Sequence, residues 1–222
     1  MNDIKKLREM TGAGLADCKK ALAESEDMDG AVAYLRKKGQ AVAAKRSDRE
    51  ASEGCVLVKA ENGFAAIIAL KCETDFVAQG ADFVKLTQDI LDAAVAAKCA
   101  TLEEVKALPL GEGTVQDAIV ARSGITGEKM ELDGYKTLVA ENVYTYNHQK
   151  KNMLCTMVAL SQDNAEAGHE IAMQIAASAP LALTNEDLDP VLIAKERVVA
   201  EEKAREEGKP EKIVMERIVP GQ

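Results

Sequence analysis

The sequence is poor in the residues that build most metal and catalytic sites. Its 222 residues include two His, His148 and His169, and an odd number of Cys with no Cys-x-x-Cys pair. Protein zinc sites draw on His and Cys at close spacing, which is absent here. No nucleophile motif accompanies either His. We therefore expect a binding protein rather than an enzyme, with no cofactor and with reduced thiols.

The sequence also lacks a basic charge balance and a long apolar run. Its net charge is −9, whereas direct binding to a nucleic-acid backbone requires a basic surface. No apolar run reaches the roughly 18 residues of a membrane span. The N-terminus has neither an apolar signal core nor an Arg- and Ser-rich transit pattern. We expect a cytoplasmic protein that binds neither nucleic acid nor membrane.

The first 50 residues predict a compact module of three helices. Apolar residues at helical spacing indicate the first two helices, at residues 4–10 and 15–22. We expect Asp27 or Asp29 to cap the third helix and Gly39 to end it. The charged segment that follows, residues 45–50, is typical of a linker.

The rest of the chain predicts an α+β body, a mainly antiparallel sheet with flanking helices, and then a helical tail. Two strands flank Asn62-Gly63, a dipeptide that strongly indicates a hairpin turn. The predicted strands are 55–60, 64–72, 135–140, 143–147 and 153–161, and the predicted helices are 81–97, 101–108, 114–122, 165–177, 191–207 and 211–219. The last two indicate a C-terminal helical hairpin, which could form part of a coiled coil. We divide the chain into domains 1–50, 51–138, 139–184 and 185–222.

Residues 72–78, Cys-Glu-Thr-Asp-Phe-Val-Ala, lie where a strand pattern ends and a helix pattern begins. The chain has three Phe and no Trp, so the orientation of Phe76 is informative. Thr74 is expected to cap a helical turn, with Asp75 in its first turn. The residues alone favour a Phe76 that packs inward and leave open a Phe76 that projects into a partner.

Three segments, taken in order, resemble the bacterial elongation factor Ts family. They are residues 7–22 (Leu-Arg-Glu-Met-Thr-Gly-Ala-Gly-Leu-Ala-Asp-Cys-Lys-Lys-Ala-Leu), residues 72–78 and residues 173–180 (Met-Gln-Ile-Ala-Ala-Ser-Ala-Pro). The resemblance covers roughly residues 1–215. It implies a guanine-nucleotide exchange factor for elongation factor Tu, the GTPase that delivers aminoacyl-tRNA to the ribosome, with an N-terminal fold like the ubiquitin-associated domain.

The resemblance also implies which residues contact the GTPase. The N-terminal module would dock on the nucleotide domain. The tip at 74–77 would enter near the bound Mg²⁺, where Phe76 wedges between helices and Asp75 disturbs the residues holding the ion. The expected contact residues are Arg8, Leu15, Ala16, Lys19, Thr74, Asp75, Phe76, Val77 and His148. Leu15 and Ala16 occupy places where the family often has the bulkier Met.

Alternatives remain at this point. The helical module could serve a non-exchange adaptor that binds some other protein, or the histidines could belong to an unrecognised enzyme site. Longer family members carry a coiled coil and a further segment, whereas this sequence stops at Gln222, which would suit a short member or a truncated one. An incomplete second half of the body would expose an apolar face, which leaves both a monomer and a homodimer open.

Overall fold

The computed structural model describes residues 2–208, apart from the side chains of Asn2 and Asn185. Its contacts divide into two compact units, with the boundary after Ala177. No helix among residues 2–208 is both long enough and apolar enough to cross a bilayer.

The chain begins with three helices: α1 (Asn2–Thr11), α2 (Leu15–Ala23) and α3 (Met28–Lys45). They share a small core in which Leu7, Cys18 and Ala31 are fully buried. Asp27 caps α3, since its carboxylate accepts a hydrogen bond of 2.7 Å from the N–H of Gly30. The prediction of an N-terminal helical module is confirmed.

The body is built on an antiparallel sheet of three strands, with the order β1-β2-β5. Its strands and short ribbons are β1 (Glu53–Glu61), β2 (Phe64–Cys72), β3 (Pro109–Leu110), β4 (Gly113–Thr114), β5 (Glu131–Val139), β6 (Asn142–Asn147) and β7 (Cys155–Leu160). Its helices are α4 (Asp75–Ala78), α5 (Ala81–Ala97), α6 (Leu102–Ala107), α7 (Val115–Thr126) and α8 (Ala165–Ser178). The α+β fold class is confirmed.

The β1–β2 hairpin and the helix packed on it form the main core. Asn62 and Gly63 have φ angles of 51° and 73°, the pair of left-handed residues that a tight type I′ turn requires. Ile68 and Leu70 of β2 are fully buried and share one core cluster with Phe83 of α5.

Gly39 does not end α3, and that prediction is wrong. The helix continues to Lys45 and crosses α7 at Gly39. A Cβ atom placed on Gly124 of α7 would lie 2.4 Å from the Cα of Gly39. The missing side chains therefore allow two helix backbones to approach closely, and this packing outweighs the poor helix propensity of glycine.

Four predicted strands begin at the wrong residue, and two of them differ only slightly: β1 starts at Glu53 rather than at 55, and β6 starts at Asn142 rather than at 143. β5 starts at Glu131 rather than at 135, because Leu132 is buried between exposed Glu131 and Asp133 and extends the alternation toward the N-terminus. β7 starts at Cys155 rather than at 153, and Met153 is exposed.

The second unit contains α9 (Pro190–Glu206). Asp189 caps it by accepting a hydrogen bond of 2.9 Å from the N–H of Val191, and Pro190 stands at the start of the helix, where its missing N–H is tolerated. The second tail helix, expected at 211–219, lies outside the described residues. The division into four domains stays a prediction.

Candidate functional site

A single helical turn, α4, projects from the end of β2. Thr74 caps it, since its hydroxyl accepts a hydrogen bond of 3.4 Å from the N–H of Val77. Ala78 is buried and Val77 packs against the body core, whereas Asp75 is exposed and Phe76 exposes 87% of its surface. The prediction that Phe76 packs inward is wrong. The turn is held by Val77 and Ala78 and presents an aromatic ring beside a carboxylate.

A carboxylate from a distant loop holds the base of this turn. Glu128 follows Gly127, the left-handed C-cap of α7. One Glu128 oxygen accepts hydrogen bonds from the N–H groups of Glu73 (3.2 Å) and Thr74 (3.1 Å). The other accepts a bond of 2.7 Å from the Thr74 hydroxyl. Three donors from two adjacent residues thus meet one charged acceptor, an arrangement stronger than neutral hydrogen bonds.

The side chain of Glu73 makes a second set of contacts at the same place. Its carboxylate accepts a hydrogen bond of 2.6 Å from the N–H of Lys129. It also pairs with Arg46 at 2.9 Å and with Arg49 at 3.0 Å. Burial by itself would raise the pKa of Glu73, but the Lys129 N–H and the two guanidinium groups outweigh it and lower the pKa to about 2.

Replacing Glu73 with Gln is expected to lower the free energy of unfolding in a pH-dependent way. The carboxyl titrates near 4.5 when unfolded and near 2 when folded. Its stabilisation is therefore fully present above about pH 4.5 and is lost as the pH falls toward 2. A shift of this size corresponds to about 3 kcal/mol for a side chain that is 14% exposed.

Urea unfolding of both proteins, followed by circular dichroism at several pH values, measures this effect. The matched control is Glu103→Gln, which removes one partner of an exposed pair with Lys106 and is expected to cost at most about 1 kcal/mol. A Glu73→Gln deficit that stayed constant from pH 7 to pH 2.5 would contradict the assignment.

The four predicted N-terminal contact residues are exposed on two helices. Arg8 is on α1, and Leu15, Ala16 and Lys19 are on α2, whose opposite face buries Cys18 and Ala21. Leu15 exposes 62% of its surface, although it is a large apolar residue. The arrangement leaves these side chains available to a partner, and their role stays a prediction.

His148 lies elsewhere in the body, at the turn between β6 and β7. It is exposed, and its Nδ1 lies 3.1 Å from the hydroxyl of Tyr146. The Tyr146 ring also meets the ring of His169 edge-on, with centroids 5.5 Å apart. The predicted contact role of His148 stays a prediction.

The cysteines are free, as predicted, and all five are buried. Burial, followed by the charge of Glu128, raises the pKa of Cys72 to about 11, and burial raises that of Cys155 to about 12. Both thiols stay protonated at neutral pH and are therefore poor nucleophiles. Within residues 2–208, no group of three His, Cys, Asp or Glu could hold a metal ion.

Sequence reasoning missed the residues that hold the tip. Arg46 and Arg49 fall in the segment 45–50, whose composition is typical of a linker, and Glu128 is 54 residues from Thr74 along the chain. A pairing between such distant residues leaves no periodic signal. The only local sign was Glu73, a charged residue between the buried Cys72 and the cap.

Two comparisons show which known proteins this chain is similar to. A family model described as "Elongation factor TS" matches residues 73–222. An elongation factor Ts from Bacteroides thetaiotaomicron is 61% identical over 209 residues, which are 93% of this chain and 63% of the relative. One from Porphyromonas gingivalis is 51% identical over 224 residues, covering 100% of this chain and 81% of the relative. The chain thus spans less than two thirds of the Bacteroides relative's length.

Proposed function

The chain belongs to the elongation factor Ts family, and from that premise we propose that it is a guanine-nucleotide exchange factor for elongation factor Tu in translation elongation. It acts in the cytoplasm and performs no chemistry of its own. The observation that carries the proposal is the exposed ring of Phe76 on a capped turn. A solvent-exposed Phe on a fixed turn is the kind of group that a partner's pocket buries.

In this mechanism the tip destabilises the site that holds GDP. Phe76 enters between helices of the GTPase near its Mg²⁺, and Asp75 brings a negative charge toward the residues that hold the ion. Both side chains are exposed, so neither needs to leave a core before binding. With Mg²⁺ displaced, the phosphate-binding loop loses a major source of charge compensation for GDP.

Energetics require a second region of contact. A thousandfold weakening of GDP binding corresponds to a coupling free energy of about 4 kcal/mol. Burying one Phe yields only about 1.5–3 kcal/mol. The remaining binding energy is assigned to the exposed N-terminal residues Arg8, Leu15, Ala16 and Lys19 and to His148.

The domains divide this work. Residues 1–50 dock on the nucleotide domain of the GTPase, and residues 51–138 carry the tip. Residues 139–184 bring His148 to the outer domains of the GTPase, and residues 185–222 are the C-terminal tail, which contains α9. Support comes from exposure alone: Leu15, Phe76 and His148 all lie on the surface.

Release of a fluorescent GDP analogue from Bacteroides elongation factor Tu, followed by stopped flow, tests the proposal. We expect the protein to accelerate release. We also expect it to weaken GDP binding at equilibrium, and GDP to weaken the complex by the same factor, because coupling between two binding sites is reciprocal. An adaptor would bind equally well with and without GDP and would leave the release rate unchanged. That outcome, or no interaction at all, would contradict the exchange function.

A further inference from the structure

Two carboxylates, those of Glu128 and Glu73, hold the base of the Phe76 turn. Glu128 approaches from the loop after α7 and accepts hydrogen bonds from the backbone of Glu73 and from Thr74. The side chain of Glu73 accepts a hydrogen bond from the N–H of Lys129 in the same loop. It also pairs with Arg46, the residue that follows the last turn of α3. The tip is therefore attached to two helices that are distant in sequence.

The Glu128 loop is itself held in place. The backbone carbonyl of Glu128 accepts a hydrogen bond from the Ser123 hydroxyl, and the N–H of Glu128 donates to the Thr126 hydroxyl at 3.3 Å. Both partners belong to α7, which crosses α3 at the Gly39–Gly124 contact. The tip, α7 and α3 are thus connected through short polar contacts and one close helix crossing.

We propose that Glu73, Arg46 and Glu128 are positioning residues for nucleotide exchange, which hold the Phe76 tip and the N-terminal helices in one fixed geometry. The inference rests on the proposed function. α3 shares its core with α1 and α2, which carry the exposed N-terminal contact residues. A partner that binds these helices would then meet the tip at a set position.

Fixed positioning matters because the tip must distort its partner. If the turn could change its position, it would move instead of distorting the GTPase. Binding at the N-terminal helices would then not be coupled to the nucleotide site. Preorganised groups avoid this loss, since their ordering cost is met during folding. We call Glu73, Arg46 and Glu128 together the clamp. Its loss should therefore slow exchange within the complex more than it weakens the complex.

The test compares Arg46→Gln and Glu73→Gln with a control, Lys85→Gln, which breaks an exposed ion pair with Asp89 on α5. GDP release is measured against concentration, giving the rate at saturation and the concentration at half-saturation. We expect the clamp variants to lower the saturating rate by about 3- to 10-fold and to change half-saturation by less than about 2-fold. Arg46→Lys, which keeps the charge, should recover part of the rate.

A double-mutant cycle with Phe76→Ala separates positioning from general damage. A clamp that acts through Phe76 has no further effect once the ring is gone, so Arg46→Gln should cost almost nothing in the Phe76→Ala background. An equal loss in both backgrounds, a loss confined to half-saturation, or wild-type rates in the clamp variants would each overturn the proposal. Wild-type protein that fails to accelerate release contradicts the exchange function instead.

Hydrogen exchange of the free protein tests the clamp even in that last case. The N–H groups of Thr74, Val77 and Ala78 are hydrogen-bonded in the capped turn. We expect them to exchange about tenfold faster in Arg46→Gln than in Lys85→Gln, because local opening becomes easier. Equal protection in both variants would overturn the positioning role.

Discussion

Replacing Phe76 with Ala is expected to remove most of the acceleration of GDP release while leaving the protein as stable as before. The side chain is 87% exposed, so its loss leaves no cavity and little changes in the free energy of unfolding. Burial of the ring in the partner is worth about 1.5–3 kcal/mol, which corresponds to a drop of roughly 10- to 150-fold in the release rate. Stopped-flow release of fluorescent GDP at saturating protein measures the drop.

Val139→Ala is a matched control for this variant. Val139 ends β5 and exposes 76% of its surface, so the substitution removes another exposed apolar side chain from the same body. We expect wild-type release from it. The Phe76 variant should still form a complex with the GTPase, because the N-terminal helices are unchanged. Wild-type release rates in Phe76→Ala would refute the wedge mechanism.

Local chemistry explains the parts of this fold that the sequence predicts well. Asn62-Gly63 specifies its turn because two left-handed residues are needed in two-residue hairpins, and few other dipeptides supply them. The helix over 81–97 has the predicted bounds, since apolar residues repeat at helical spacing between two breaks. In both cases the residues that decide the structure are neighbours in the chain.

Contacts between distant residues explain the failures. The local sequence predicts that Gly39 ends a helix. Its close packing against Gly124 explains why it lies within the helix instead. The role of Arg46 is not predicted by the linker composition of its segment. Its ion pair is with Glu73, 27 residues away, and such a pair has no local sequence pattern. The projecting Phe76 could be expected from the family resemblance but not from its own neighbourhood, which favours a buried residue.

The same substitution seven residues further on should have the opposite outcome. Phe83 is fully buried, with 0% of its surface accessible to solvent. It packs in the cluster that contains Ile68, Leu70 and Ile90. Phe83→Ala is expected to lower the free energy of unfolding by about 3–5 kcal/mol, through lost burial and the cavity that remains. That is a large share of the roughly 5–15 kcal/mol that stabilises a typical domain.

Urea unfolding followed by far-ultraviolet circular dichroism suits this measurement, because the chain has no Trp to report by fluorescence. Phe83→Leu is the conservative control and should cost less, since Leu fills much of the space. Below its melting range, Phe83→Ala should keep the exchange activity per folded molecule, because Phe83 lies inside the body and Phe76 is unchanged. A loss of less than about 1 kcal/mol in Phe83→Ala would mean that α5 is packed differently. Normal stability in Phe76→Ala, together with a large loss of stability in Phe83→Ala, would show that Phe76 serves binding and Phe83 serves packing.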